Sequence, residues 1–412
     1  MGKDNRWLIL LCAGRIGLSV IFTSYSAVLP FVAAEWRMSS AQAGSIQSAW
    51  YVGYLISLFV AGFLADRFGA KKTIVRMSIA SAIASAAFAL FSEGHLSALT
   101  LFGAAGLCSG GSYTPGLKLI FERSPHASKG AAIGLFLASG SIGYGLALML
   151  SAFAIPMAGW RAALGLCAAA TIVGAAITWF SLRKVQETAI AAVRPQESEG
   201  WSDLFKNRAA LACILAYAFH CWELLGLWAW LPSFVIQIQA QSPGRLVTYG
   251  LIVVAISHFV SSLGSVIGGR LSDSRGRSFV MLFMSVSSLL CSFSIGWLFG
   301  GPVALVFTLA IAYNLFAIGD SAVYSTAVAE VVPTTRLGAV YSIRSVLGFG
   351  AGAISPWVFG IVLDLAQVGV VTKDTAWGLA WTSLAIGALP GIPTILWFRK
   401  LVRQKLPIGK PR

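Results

Sequence analysis

Six ionisable side chains stand well inside long apolar runs of this sequence: Arg15, His220, Glu223, His258, Asp320 and Arg344. Burying any of them in hydrocarbon costs on the order of several kcal/mol, so each is a candidate to handle an ion, a proton or a polar solute. An arginine presents a planar fork that grips a carboxylate or similar oxyanion through two parallel bonds. A lysine cannot copy that geometry, so Arg15 and Arg344 suit an anion. At about 1.5 Å of rise per residue, Arg15 lies about 13 Å beyond Arg6 and Arg344 about 12 Å beyond Arg336, deep enough to reach the middle of a membrane. Glu223 has His220 one helical turn before it on the same face. The pair suits the carriage of a coupling proton, with Asp320 as a further acid. The competing reading is mutual neutralisation, Asp320 against Arg344 and Glu223 against Arg15, with no solute involved. His258 reads as a packing histidine.

Tyr25, Trp50, Tyr54, Tyr113, Trp222, Tyr324 and Tyr341 lie in apolar runs of the same kind and can wall a solute cavity or simply pack. Trp228 and Trp230, close to the end of their run, read as an interfacial belt. Lys118 and Glu122 read as snorkelling side chains at a membrane surface. All six cysteines fall inside apolar stretches without C-x-x-C spacing, which points to small buried residues rather than a metal site or a disulfide framework. No nucleophile constellation or phosphate-binding loop is present. The run Gly348-Phe349-Gly350-Ala351-Gly352 lies inside an apolar helix and lacks the lysine of a Walker loop.

The elements that must carry these residues are membrane helices. Of the 412 residues 57% are hydrophobic and 11% charged, against about 25% charged in a typical soluble domain. A bilayer crossing needs roughly 20 mostly apolar residues. Twelve such stretches recur, at 7–32, 43–65, 73–92, 96–119, 130–155, 160–182, 209–236, 247–270, 279–299, 303–328, 338–363 and 376–398. The first is too long for the roughly 7–15-residue core of a signal peptide and is read as a retained span. The net charge of +15 reports topology rather than nucleic acid. If the N-terminus is cytoplasmic, 24 of the 30 Lys and Arg residues fall in cytoplasmic segments and four in outer loops, namely Arg37, Arg161, Arg245 and Lys373. Both termini are therefore expected in the cytoplasm. The longest polar stretch, 183–208, divides the spans into halves at 1–182 and 209–412 and reads as a cytoplasmic linker.

The halves share a motif. Gly62, Leu64, Asp66 and Gly69, after the second span, align with Gly269, Leu271, Asp273 and Gly276, after the eighth. A constant offset of this kind signals an internal repeat. Gly62 and Gly69 suit close helix approach and a tight turn, and Asp66 suits a helix N-terminus or a basic partner. With these residues the sequence resembles the major facilitator superfamily, whose loop after the second span reads approximately G-x-x-x-D-R-x-G-R-[KR]-[KR]. Gly62, Asp66, Arg67, Gly69, Lys71 and Lys72 match while Ala70 departs; in the second copy Gly269, Asp273, Gly276 and Arg277 match while Ser274 and Ser278 depart.

The resemblance implies an all-α membrane protein with twelve transmembrane helices in two pseudo-symmetric six-helix bundles. Spans 1, 4, 7 and 10 would line a central cavity, and the motif loop would latch the cytoplasmic side. It further implies secondary transport by alternating access, neither an enzyme nor dependent on a cofactor or metal, in a bacterial inner membrane or plasma membrane. The expected partners are a small-molecule substrate, protons as coupling ion and the lipid bilayer, with no nucleic acid, for a chain working as a monomer. The intramembrane arginines favour a small organic-acid-like anion, held by Arg15 and Arg344 and coupled to protons through Glu223, His220 or Asp320. The alternatives are proton-coupled efflux of amphipathic drugs and a transport-dead membrane sensor. Efflux ranks second, because the R-x-x-x-G of drug antiporters in span 4 is replaced by Phe102-Gly103-Ala104-Ala105-Gly106 and span 5 lacks their Gly-Pro pair.

Overall fold

A computed structural model describes residues 6–123, 129–186, 206–240, 247–333, 336–368 and 372–405. Most of the expected linker, including Ser198, lies outside the described residues. Lipid offers no hydrogen-bond partners to an open backbone, so an apolar chain that spans it must satisfy its amides within each segment. The described residues accordingly form helices and short connections. In chain order the α-helices are α1 (Arg6–Ser19), α2 (Ile21–Glu35), α3 (Ser40–Phe68), α4 (Ala70–Phe91), α5 (His95–Ser109), α6 (Thr114–Arg123), α7 (Lys129–Leu182), α8 (Arg208–Ala240), α9 (Val247–Arg275), α10 (Arg277–Ile295), α11 (Val303–Gly319), α12 (Ser321–Ala329), α13 (Leu337–Val368), α14 (Lys373–Ala388) and α15 (Gly391–Lys405).

Among the described residues, ten helical stretches are long and apolar enough to cross a membrane. The difference from twelve has two physical sources. Expected spans 5 and 6 run together in α7, which bends where Gly159 takes φ 79°. Expected span 4 is split into α5 and α6 by a 3-10 turn at Gly110–Ser112. Large apolar side chains such as Phe59, Phe63, Ile83 and Leu290 are more than 60% exposed, which would be a liability in water and is what a lipid-facing surface requires.

Two of the other spans are interrupted as well. The first breaks at Val20, between α1 and α2, and the tenth at Asp320, between α11 and α12. Broken membrane helices free backbone groups and recur at the binding sites of transporters. Here the breaks fall close to Arg15, Tyr113 and Asp320.

The chain divides into two compact units. The first comprises Met1–Val193 with Trp228–Phe259 and Pro356–Asp364, and the second comprises Arg194–Leu227, Val260–Ser355 and Leu365–Arg412. In the first, α1 and α2 pack on α7, and α3 on α5. In the second, α10 packs on α11, α14 and α15.

The later stretches join the first unit through specific contacts. The Asp364 carboxylate accepts from the backbone amides of Ser40 and Ala41 at 2.7 and 2.8 Å, where the N-terminal turn of α3 leaves donors unpaired. Trp230 donates to the Pro356 carbonyl at 2.9 Å and stacks on Phe359. Trp228 lies against Phe22, Tyr144 and His258. Both tryptophans are buried, so the expectation of an interfacial belt is corrected: they fill the interior of this unit. His258 is buried against two of these rings, as a packing histidine would be.

The repeat extends to the backbone. Gly69 and Gly276 adopt nearly the same conformation, φ 95° and ψ 146° against φ 90° and ψ 150°, each at the start of the following helix. These angles lie where a Cβ is strongly disfavoured, which explains why both copies carry glycine. The expectation that Gly62 permits close helix approach is not met. Among the described residues a Cβ there would reach only the Thr114 methyl at 3.7 Å, and one at Gly269 would meet nothing within 4 Å.

Candidate functional site

In the first unit the site is built around Arg15, which is 5% exposed on α1. Its guanidinium lies 5.0 Å from the Tyr113 ring centre and 4.2 Å from that of Phe136, an arrangement worth roughly 2 kcal/mol or more when desolvated. Gly140 on α7 makes room for it, since a Cβ at that position would stand 3.2 Å from an Arg15 terminal nitrogen. Among the described residues no carboxylate pairs with Arg15, and its Nε has no hydrogen-bond partner. The guanidinium faces a narrow cavity lined also by Phe22, Trp50, Tyr54, Ser112 and Tyr144. Trp50 stacks on Tyr54 at 4.9 Å and Phe22 on Tyr144 at 4.3 Å, so flat aromatic faces stand beside the serine and arginine groups of the lining.

Of the other aromatic candidates in this unit, Tyr25 stands apart. Its hydroxyl donates to the Ala43 carbonyl at 3.0 Å and its ring packs on Phe88 and Phe102. It supports the helix carrying Trp50 and does not line the cavity.

The second unit holds a matching arginine and the acids. Arg344 lies 4.3 Å from the Tyr217 ring centre and 5.2 Å from that of Tyr341, and it donates to the Ser325 hydroxyl. Its Nε has no hydrogen-bond partner among the described residues. The Tyr341 hydroxyl donates to the Ser325 carbonyl at 3.2 Å, fixing the same corner.

His220 sits between Asp320, whose Oδ1 is 3.0 Å from Nδ1, and the Ser321 hydroxyl, 2.7 Å from Nε2. Tyr324 packs its ring against His220 and Tyr217. Asp320 thus takes His220 as its partner rather than Arg344, and His220 engages Asp320 rather than Glu223. Glu223 accepts a hydrogen bond from Ser288 at 2.9 Å through Oε2, and the Tyr313 hydroxyl lies beside the same carboxylate. Trp222 donates to the Leu384 carbonyl at 3.2 Å and packs with Leu289 and Ala385, on a different side of α8 from the Arg344 cluster.

Sequence reading missed Phe136, Tyr144, Phe22, Tyr217, Ser288 and Ser325. A signal existed for one of them. Tyr217 precedes His220 by three residues and so shares a helical face with an ionisable residue already singled out.

The motif loops are tied by charge. Asp66 pairs with Lys118, which therefore does not merely snorkel, while Arg277 pairs with Asp273 and, at 2.9 Å, with Glu330. Arg67 lies over the ring of its neighbour Phe68, and Lys71 donates to the Val185 carbonyl at 2.7 Å. The Lys118 and Asp66 side chains are 37% and 64% exposed, so their bond is worth at most about 1 kcal/mol. A bond this weak is suited to breaking and reforming. Asp66→Asn is expected to slow transport several-fold while leaving ligand affinity in detergent within about threefold of wild type. Complete loss of binding in a folded variant would assign Asp66 to the solute instead.

A chain of long apolar helices, several of them broken, that holds one buried and one part-buried arginine defines a multi-pass membrane transporter. The sequence matches the Major Facilitator Superfamily over residues 11–356, and the chain belongs to that family, whose members are transporters and not enzymes. It is 25% identical over 400 residues to a hexuronate transporter of Bacillus subtilis, covering 92% of each chain. It is 25% identical over 388 residues to a probable 4-methylmuconolactone transporter of Cupriavidus pinatubonensis, covering 90% of this chain and 86% of the relative. Its fold is similar to that of a bacterial homologue of the human lysosomal transporter Spinster in an inward-facing, unoccupied conformation, with a TM-score of 0.78, 15% identity and coverage of 99% and 100% of the two chains.

Proposed function

We propose that this protein carries a small organic acid as its anion, coupled to protons, with Arg15 and Arg344 as the groups that take the carboxylate. The observation that supports this reading most strongly is Arg15 itself: a buried guanidinium with aromatic faces for neighbours and no counter-charge among the described residues, set against a cavity. Leaving a charge unpaired in a low-dielectric site is costly, and an incoming carboxylate removes that cost while satisfying the open donors. The name of one relative, a hexuronate transporter, denotes a carboxylate solute and agrees with this chemistry. Glu223, with His220 and Asp320, carries the proton.

A ligand that binds the folded state raises its melting temperature. In a thermal-shift screen of the purified protein, sugar acids, aliphatic dicarboxylates and aromatic acids are expected to include the stabilising ligand, with its neutral methyl ester inactive. A neutral or cationic best ligand would overturn this reading in favour of drug efflux.

The same proposal places both termini in the cytoplasm, on the strength of the loop charges. A cysteine introduced at Ser198 should be shielded from an impermeant thiol reagent in intact cells, and one at Ser242 should react. The opposite labelling would invert the topology.

A further inference from the structure

The second unit contains a basic pocket that the transport mechanism does not use. It lies where three membrane helices end: α9 at Arg275, α10 at its start, and α15 near its last turn. Arg275, Arg399 and Arg403 surround it, with Ser278, Phe279 and Val402 completing the walls. Among the described residues none of the three arginines forms an ion pair or a side-chain hydrogen bond. Arg277, next to them in sequence, is by contrast committed to Asp273 and Glu330.

The pocket floor adds donors. α10 begins after Gly276 without a side-chain cap, so the amides of its first turn remain available, and the Ser278 hydroxyl stands beside them. Three unpaired guanidinium groups around an uncapped helix start match a phosphate group in charge and in number of donors.

The surroundings say which phosphate. From the pocket an apolar surface continues along the same helices. Phe279 and Phe283, 44% and 45% exposed, stack one turn apart on α10, and Leu396 is 47% exposed on α15. A soluble phosphate has no use for such a surface, whereas acyl chains do. We infer that this pocket binds the phosphodiester headgroup of an anionic phospholipid, with the chains lying along the Phe279, Phe283 and Leu396 face. Bound there, the lipid ties the start of α10, which belongs to the second copy of the repeated motif, to the end of α15.

The test is native mass spectrometry of the full chain in dodecyl maltoside with equal amounts of dioleoyl phosphatidylglycerol and dioleoyl phosphatidylcholine. Each arginine near a charged headgroup contributes about fivefold in affinity. Wild type should therefore retain phosphatidylglycerol over phosphatidylcholine by about tenfold or more. Arg275→Gln, Arg399→Gln and Arg403→Gln should each reduce that preference about fivefold, and the triple variant should lose it. These residues lie at helix ends near the surface, so the single variants carry the test if the triple variant does not fold. Equal retention of both lipids by wild type, or an unchanged preference in the single variants, would overturn the site. Displacement of phosphatidylglycerol by inorganic phosphate at matched concentration would overturn the lipid assignment and give the pocket to a soluble phosphate.

Discussion

Glu223→Gln is expected to abolish uphill, pH-driven accumulation while preserving exchange of solute across the membrane. In wild type, one proton carried with each solute molecule sustains about a tenfold accumulation ratio per pH unit, and in the variant the ratio should fall to about one. The expectation rests on placement. Glu223 is 5% exposed, its Oε2 is held by Ser288 with the Tyr313 hydroxyl beside the carboxylate, and among the described residues no arginine or lysine pairs with it, so a proton can come and go there. The amide is isosteric and keeps the Ser288 bond, so a loss of coupling cannot be blamed on a cavity or a broken contact. Exchange needs no net proton movement, and its survival would separate lost coupling from lost folding. Accumulation that still followed the pH gradient in this variant would make Glu223 structural and move the proton to the His220 and Asp320 pair, which Ser321 and Tyr324 hold in place.

What the sequence made legible follows from what local pattern can encode. Apolar runs of about 20 residues announce membrane helices because the constraint acts on every residue of the run. The paired loops were legible because Gly69 and Gly276 share a backbone conformation that admits little else. The charged residues of the site were legible because their cost in hydrocarbon makes them conspicuous.

Their partners were not, because a partner is chosen by tertiary geometry. The sequence offered Arg344 as the partner of Asp320, yet at the break between α11 and α12 Asp320 meets His220 instead. Phe136, the aromatic face beneath Arg15, is a common residue in an apolar run, and nothing local distinguishes it from lipid-facing ones; only Tyr217, three residues before His220, carried a local signal. Trp228 and Trp230 show the converse. Their position near the end of a run suggested a membrane interface, yet burial against Phe22, Tyr144 and Phe359 decided otherwise.

Replacing the two arginines should separate the solute-binding reading from a structural one most sharply. A charge-assisted hydrogen bond contributes about 1.5–3 kcal/mol, so Arg15→Ala and Arg344→Ala should each weaken binding of the carboxylate found by screening about 10-fold to 100-fold. The lysine variants test geometry separately from charge. Lysine keeps the cation but loses the planar fork, and it stacks less well on the rings that position each guanidinium, Tyr113 and Phe136 for Arg15 and Tyr217 and Tyr341 for Arg344. Arg15→Lys and Arg344→Lys should therefore fall between wild type and alanine, with the loss greatest for ligands that offer a bidentate carboxylate. Stability should change little at Arg15. No counter-charge holds it among the described residues, so removing it relieves a buried, unpaired cation and offsets part of the lost cation–π attraction. The Arg15→Ala protein is expected to melt within a few degrees of wild type without ligand and to lose the ligand-induced rise. Both quantities come from one thermal-shift titration. If folded alanine variants at both positions bound the carboxylate as tightly as wild type, the arginines would be structural and the anion would have to be held elsewhere.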